Sequence, residues 1–190
     1  MSHESCISKS KYKEIVKRNS TSDLEVTVEV LDEAKLREGS DEQRIAICEQ
    51  VLKNDSDESK RWDAVWLMGE LAETRKEGDP LFDKVADLNE WVLKNDDNGV
   101  VKHEACYQIA GRNMRNKIPA LIDTALNDKS IITKHEAIES LGLMRAFEAE
   151  DLIKKATNDP SIDVRETAIF VIKRLERLKN LGEYKPANIL

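Results

Sequence analysis

Asn127-Asp-Lys-Ser-Ile-Ile-Thr-Lys-His-Glu-Ala-Ile-Glu-Ser-Leu-Gly142 is the stretch on which the fold can be read. It begins with an Asn-Asp pair and carries Ala ten residues after the Asn. The same pattern occurs four times without gaps: Asn54-Asp55 with Ala64, Asn95-Asp96 with Ala105, Asn127-Asp128 with Ala137, and Asn158-Asp159 with Ala168. The residue after each Ala is Val65, Cys106, Ile138 or Ile169, and four after it stands Met68, Ile109, Leu141 or Ile172. Those offsets mark a helix that buries one stripe. The Asn residues are 41, 32 and 31 residues apart. A period in the thirties with two helices per unit predicts an all-α fold, a right-handed α-α superhelix of stacked hairpins. The Asn-Asp pair falls where one helix ends and the next is capped, a place that suits the local hydrogen bonding of those side chains.

Working outward, Ser40-x-x-Gln43 reads as a capping box opening a helix with Ile45, Ile47, Cys48, Val51 and Leu52 on it. An earlier box, Ser22-x-x-Glu25, starts a run through Leu24, Val28 and Leu31 to Gly39. The longer first interval places extra residues between Ala72 and Asp83, around the turn signature Gly78-Asp79-Pro80. Pro119 and Pro160 are expected in first helical turns, where proline is tolerated. The organisation is therefore a polar N-terminal tail over 1–20 with a short helix Ser10–Arg18, a repeat domain over 21–178, and a loose C-terminal tail over 179–190.

Composition narrows the class. Apolar residues reach 40% at helical spacing, so a core exists despite 35% charged residues. A net charge of −7 argues against nucleic acid as the main partner, but not against a basic protein or an amine-bearing substrate. No apolar run has the length of a membrane span and no signal peptide opens the chain, so the expected location is the cytoplasm. The three cysteines, Cys6, Cys48 and Cys106, are scattered; Cys48 and Cys106 fall on apolar stripes as small core residues of a reducing compartment.

The histidines carry the functional signal. Of the three, His3 lies in the N-terminal tail, while His103 and His135 are each followed by Glu and stand one repeat apart. At 100° per residue, His135-Glu136 points away from the stripe of Ala137, Ile138, Leu141 and Met144, and His103-Glu104 takes the same face one unit earlier. Stacked helices lie about 8–10 Å apart. Two imidazoles can close that gap on one ion, with metal–nitrogen bonds of about 2.0–2.1 Å each. His103, Glu104, His135 and Glu136 are thus candidate metal ligands, with a solvated polar face as the bland alternative. Ala110 and Gly142, seven residues past each histidine, are small and are expected to leave the approach open.

These pairs bring a family into view. Lys134-His-Glu-Ala-Ile-Glu-Ser-Leu-Gly142 resembles the His-Glu-Ala-x-x-x-Leu-Gly motif of deoxyhypusine hydroxylase, a HEAT-like repeat solenoid. Asn158-Asp-Pro through Val164-Arg-Glu-Thr-Ala168 to Arg174-Leu-Glu-Arg-Leu178 resembles the repeat that closes that family's domain. The likeness covers roughly 54–178. The repeat pattern itself is shared with phycobilin-lyase-type HEAT-like proteins, so only the His-Glu pairs are specific. The resemblance implies a non-haem di-iron monooxygenase using Fe2+, acting on a protein substrate that carries a modified lysine. Histidine and carboxylate ligands also suit zinc or manganese.

The chain departs from that family in having two His-Glu pairs rather than four. Trp62-Asp63 and Glu166-Thr167 stand at the equivalent places of the flanking units. Trp62 and Trp66 either wall the site or cover a core edge. Glu166 is a candidate for an amine or a metal, or a plain surface charge. Tyr107 and Glu139, four residues after their histidines, either orient the ligands or form a polar ridge. A homodimer would supply the missing half, completing a di-iron centre across its two-fold axis. The competing reading is a non-enzymatic HEAT-repeat scaffold that binds another protein.

Overall fold

The computed structural model describes residues 31–179. The expected helix Ser10–Arg18, the capping box Ser22–Glu25, His3, Cys6 and residues 180–190 lie outside the described residues. Among the described residues the secondary structure is helical, with no strand. A short α1 (Glu33–Arg37) leads into α2 (Asp41–Asn54) and α3 (Glu58–Leu71). Then come α4 (Pro80–Asn95), α5 (Gly99–Gly111), α6 (Ile118–Asn127), α7 (Ile131–Leu143), α8 (Glu150–Ala156) and α9 (Ile162–Leu178). Single 3-10 turns at Arg115–Lys117 and Phe147–Ala149 feed α6 and α8.

The helices pair as hairpins α2/α3, α4/α5, α6/α7 and α8/α9, and the second helices α3, α5, α7 and α9 pack side by side as one layer. The first helices form the other. This is the HEAT-like α-α superhelix that the sequence pattern predicts. The Ala column explains the tight stacking: Ala64, Ala105, Ala137 and Ala168 are completely buried, as are Val65, Cys106 and Ile138 beside three of them. Cys48 and Cys106 are free thiols in this core. Burial pushes the Cys48 thiol up to about 11 and the Cys106 thiol well above its ordinary value, so neither is a reactive nucleophile.

Each Asn-Asp junction is built the same way. The aspartate carboxylate accepts the backbone N–H two residues on: Asp55 from Asp57 at 2.9 Å, Asp96 from Asn98 at 2.8 Å, Asp128 from Ser130 at 2.8 Å and Asp159 from Ser161 at 2.9 Å. Asp57, Asn98 and Ser130 then cap α3, α5 and α7 with their side chains. Three of these aspartates, Asp96, Asp128 and Asp159, also receive a cation from the preceding unit. Arg61 donates to Asp96 at 2.8 and 3.1 Å, Lys102 to Asp128 at 2.7 Å and Lys134 to Asp159 at 2.6 Å. Each cation stands seven residues after the Asn of its own unit, so the ladder follows the repeat.

The Ser40–Gln43 box is present with both of its reciprocal bonds. The extra residues of the long unit lie between α3 and α4, where Gly78 takes φ +91° before Asp79 caps α4 with Pro80 in its first turn. Pro119 also sits in a first turn. Pro160 does not: it precedes Ser161, the residue before α9, so the turn rather than the helix absorbs its missing N–H.

Candidate metal centre

The His-Glu positions form a row across α5 and α7, and contacts run from each unit to the next. His103 on α5 reaches Glu136 on α7, with Nε2 3.1 Å from Oε2 and both side chains largely buried. Burial alone would lower the His103 pKa. The Glu136 carboxylate outweighs it, with Glu104 and Glu139 adding, and holds the imidazole above its ordinary value.

One unit later the partner is different. His135 Nδ1 lies 2.7 Å from the Thr167 hydroxyl of α9, and that hydroxyl donates its own proton to the Asp163 carbonyl at 2.7 Å. Thr167 is therefore the acceptor, and a neutral His135 carries its proton on Nδ1. Its Nε2 lone pair is left for a ligand role, the usual arrangement in which a second group fixes the tautomer of a metal-binding histidine.

His135, Glu136 and Glu139 each place one ligand atom so that all three lie within 4.8 Å of one another. His135 Nε2 is 3.6 Å from Glu139 Oε2. One imidazole nitrogen and two carboxylates, with His103 against the Glu136 carboxylate, make a donor set that fits iron, zinc or manganese.

Glu104 is handled differently. Its Oε1 accepts from Gln108 Nε2 at 2.6 Å, one turn on in the same helix. Burial pushes its carboxyl up, against the Gln108 amide and the nearby His103. The reason lies one unit back. Glu136 finds His103 in the preceding unit, whereas Glu104 faces a unit with Trp62 at the histidine place. Gln108 fits there because Gly69 on α3 has no side chain: a Cβ on Gly69 would stand 1.9 Å from Gln108 Oε1.

Of the remaining sequence candidates, Glu139 joins the cluster. Tyr107 holds the same register on α5 and is half-buried. Trp62 and Trp66, both half-buried, stack with ring centroids 6.0 Å apart and 10° between planes, one unit before His103. Glu166 is exposed on α9 and lies outside the group of three. The expected open approach beside Gly142 is not what that glycine provides. It is buried, and a Cβ there would meet Val171 Cγ1 at 2.8 Å, so its smallness serves helix packing. Sequence reasoning missed Gln108 and gave Thr167 no role. Thr167 had a signal, since it holds in its unit the register of Glu136, the group that faces the preceding histidine.

A family model of HEAT repeats matches residues 86–173, which include both His-Glu pairs. Deoxyhypusine hydroxylase of Bos taurus is 32% identical over 95 residues, covering 48% of this chain and 31% of that protein. Deoxyhypusine hydroxylase of Danio rerio is 34% identical over 102 residues, 52% of this chain and 33% of that protein. The structure of human deoxyhypusine hydroxylase in complex with glycerol aligns at a TM-score of 0.63 with 26% identity, covering 77% of this chain and 48% of that one. The curated relatives are thus matched over about a third of their length. The chain is a HEAT-like repeat protein similar to deoxyhypusine hydroxylase over part of that enzyme.

Proposed function

We propose that this chain is a metal-dependent hydroxylase of the deoxyhypusine hydroxylase type, binding iron through His135, Glu136 and Glu139 with His103 and Glu104 alongside. The observation that carries the reading is the grouping of His135, Glu136 and Glu139, each with one ligand atom within 4.8 Å of the others, while Thr167 occupies His135 Nδ1 and Glu139 lies 3.6 Å from Nε2. Iron bound there supplies oxygen activation. The protein's own part is to hold the ligands, with Thr167 fixing the imidazole, His103 holding Glu136, and Gln108 holding Glu104. Trp62, Trp66 and Tyr107 would wall the approach, and the substrate is a protein with a modified, amine-bearing lysine. No described helix is long and apolar enough to cross a membrane, and the place of action proposed is the cytoplasm.

Two His-Glu pairs are half of the resembled family's set. A homodimer would supply the second half, with about one metal per chain. The test is elemental analysis of protein purified without a histidine tag, followed by hydroxylation of a deoxyhypusine-bearing protein. Iron near one per chain, lost in the His135→Ala variant with helicity retained, supports the reading. Zinc or manganese in its place would change the metal and remove the oxygen chemistry. Metal-free protein would favour the HEAT-repeat scaffold, for which the direct His103–Glu136 contact is a polar stitch between units.

A further inference from the structure

Among the described residues, the final helix, α9, leaves uncovered a face that every earlier unit covers. Ile169 stands where Val65, Cys106 and Ile138 are completely buried against the next second helix, yet it is 42% exposed. Phe170 beside it is 54% exposed and Ile162, two turns earlier, 58%. With Glu166 and Lys173, both exposed, these residues form one stripe at helical spacing along α9. Among the described residues neither Glu166 nor Lys173 is in an ion pair.

The charges along the stripe are segregated. Asp163 and Glu166 lie toward the N-terminus, where the one base, Arg165, is turned onto the Asp159 and Pro160 carbonyls, and Lys173, Arg174 and Arg177 lie toward the C-terminus, with Glu176 the one acid in that half. Glu166 and Lys173 are equally far from the midpoint between Ile169 and Phe170. A second α9 laid antiparallel therefore sets Ile169 against Phe170 at the centre and each Glu166 against a Lys173, and opposes the helix dipoles. A parallel copy would put like charges side by side.

We propose that α9 is a self-association surface, through which two copies of this chain pack α9 against α9, antiparallel about a two-fold axis. The contact is inferred from the stripe alone and forms with or without a metal. A metal-loaded monomer would refute it, together with the homodimer proposed to complete the metal centre, and would leave intact only the reading that His135, Glu136 and Glu139 bind iron.

Sedimentation of the full chain, stripped of metal by chelation, tests the inference. The wild type is expected to be dimeric. Phe170→Glu should be monomeric with unchanged helicity, since its site is at the surface. Glu166→Lys and Lys173→Glu should each weaken the dimer about tenfold or more, and the double variant Glu166→Lys, Lys173→Glu should restore it by re-forming the pairs in reverse. A dimer indifferent to Phe170→Glu overturns the inference. So does a wild-type monomer. If Phe170→Glu lowers the melting temperature of that monomer, the stripe is covered by the chain's own residues 180–190. If melting is unchanged, the stripe belongs to a different protein.

Discussion

His135 and Thr167 meet across α7 and α9 with Nδ1 2.7 Å from Oγ1, and the Thr167 proton is already committed to the Asp163 carbonyl. A threonine in the last repeat thus decides which nitrogen of a histidine in the preceding repeat is free. Removing an orienting group of this kind costs about 10–100-fold in metal affinity. Thr167→Val keeps the shape and deletes the acceptor. Its affinity for ferrous or zinc ion, measured by competition with a chelator, is expected to fall within that range. Far-ultraviolet circular dichroism should be unchanged. Unchanged affinity would remove Thr167 from the site.

The inter-unit ladder makes a second prediction. Asp128 takes both the Ser130 N–H and the Lys102 ammonium, and its side chain is only 8% exposed. Asp128→Ala strands the half-buried Lys102 ammonium and opens the turn, so it should cost about 3 kcal/mol. Lys102→Met leaves the carboxylate one donor and should cost about 1–3 kcal/mol. Urea denaturation at neutral pH ranks the two, and the reverse order would show that the turn bond matters little.

Asp159 gives a pH dependence. Burial would raise its carboxyl, but the Lys134 ammonium and the Ser161 N–H outweigh that and hold it below the usual carboxylate range. A folded pKa below the unfolded one means the unfolded state binds the proton more readily at acid pH. The stabilisation is therefore present above the unfolded value of about 3.9 and is lost as pH falls through the folded value. Asp159→Asn should lower stability at pH 7 and flatten the decline below pH 5, both judged by urea midpoints. A variant with the same acid decline as wild type would exclude this carboxylate as a source.

The repeat was legible in the sequence because burial recurs at fixed offsets. Ala64, Ala105, Ala137 and Ala168 must be small for the second helices to stack, and Asp96, Asp128 and Asp159 each serve a turn and a cation at once. The face carrying the His-Glu pairs was legible for the same reason. Which carboxylates meet was not. Glu104 and Glu136 hold equivalent positions, and their fates diverge through what the preceding unit presents, Trp62 or His103. Glu139 reaches the cluster and Glu104 turns to Gln108, a choice made by neighbours distant in sequence. Gly142 misled because a missing side chain reads alike whether it opens a path to solvent or admits another helix.

That glycine sets up the last prediction. Gly142 lies two turns beyond His135 on α7, and its missing Cβ is filled by Val171 of α9, which is itself buried. The approach it permits holds α7 against the helix that carries Thr167. Alanine at 142 would gain about 1 kcal/mol of helix propensity. Its Cβ, however, would sit 2.8 Å from Val171 Cγ1 and 3.1 Å from Cγ2, and a β-branched side chain has few rotamers to escape into. Overpacking of this kind costs about 1–3 kcal/mol, so Gly142→Ala should be net destabilising. Because α7 and α9 must then separate, metal affinity should fall as well, through the His135–Thr167 contact. Val171→Ala removes both methyl groups that the new Cβ meets. Alone it should cost stability through the cavity it leaves. Combined with Gly142→Ala it should recover both stability and metal affinity relative to Gly142→Ala alone, a coupling readable in a double-mutant cycle. If stability recovers while metal affinity stays low, the spacing of α7 and α9 does not control His135.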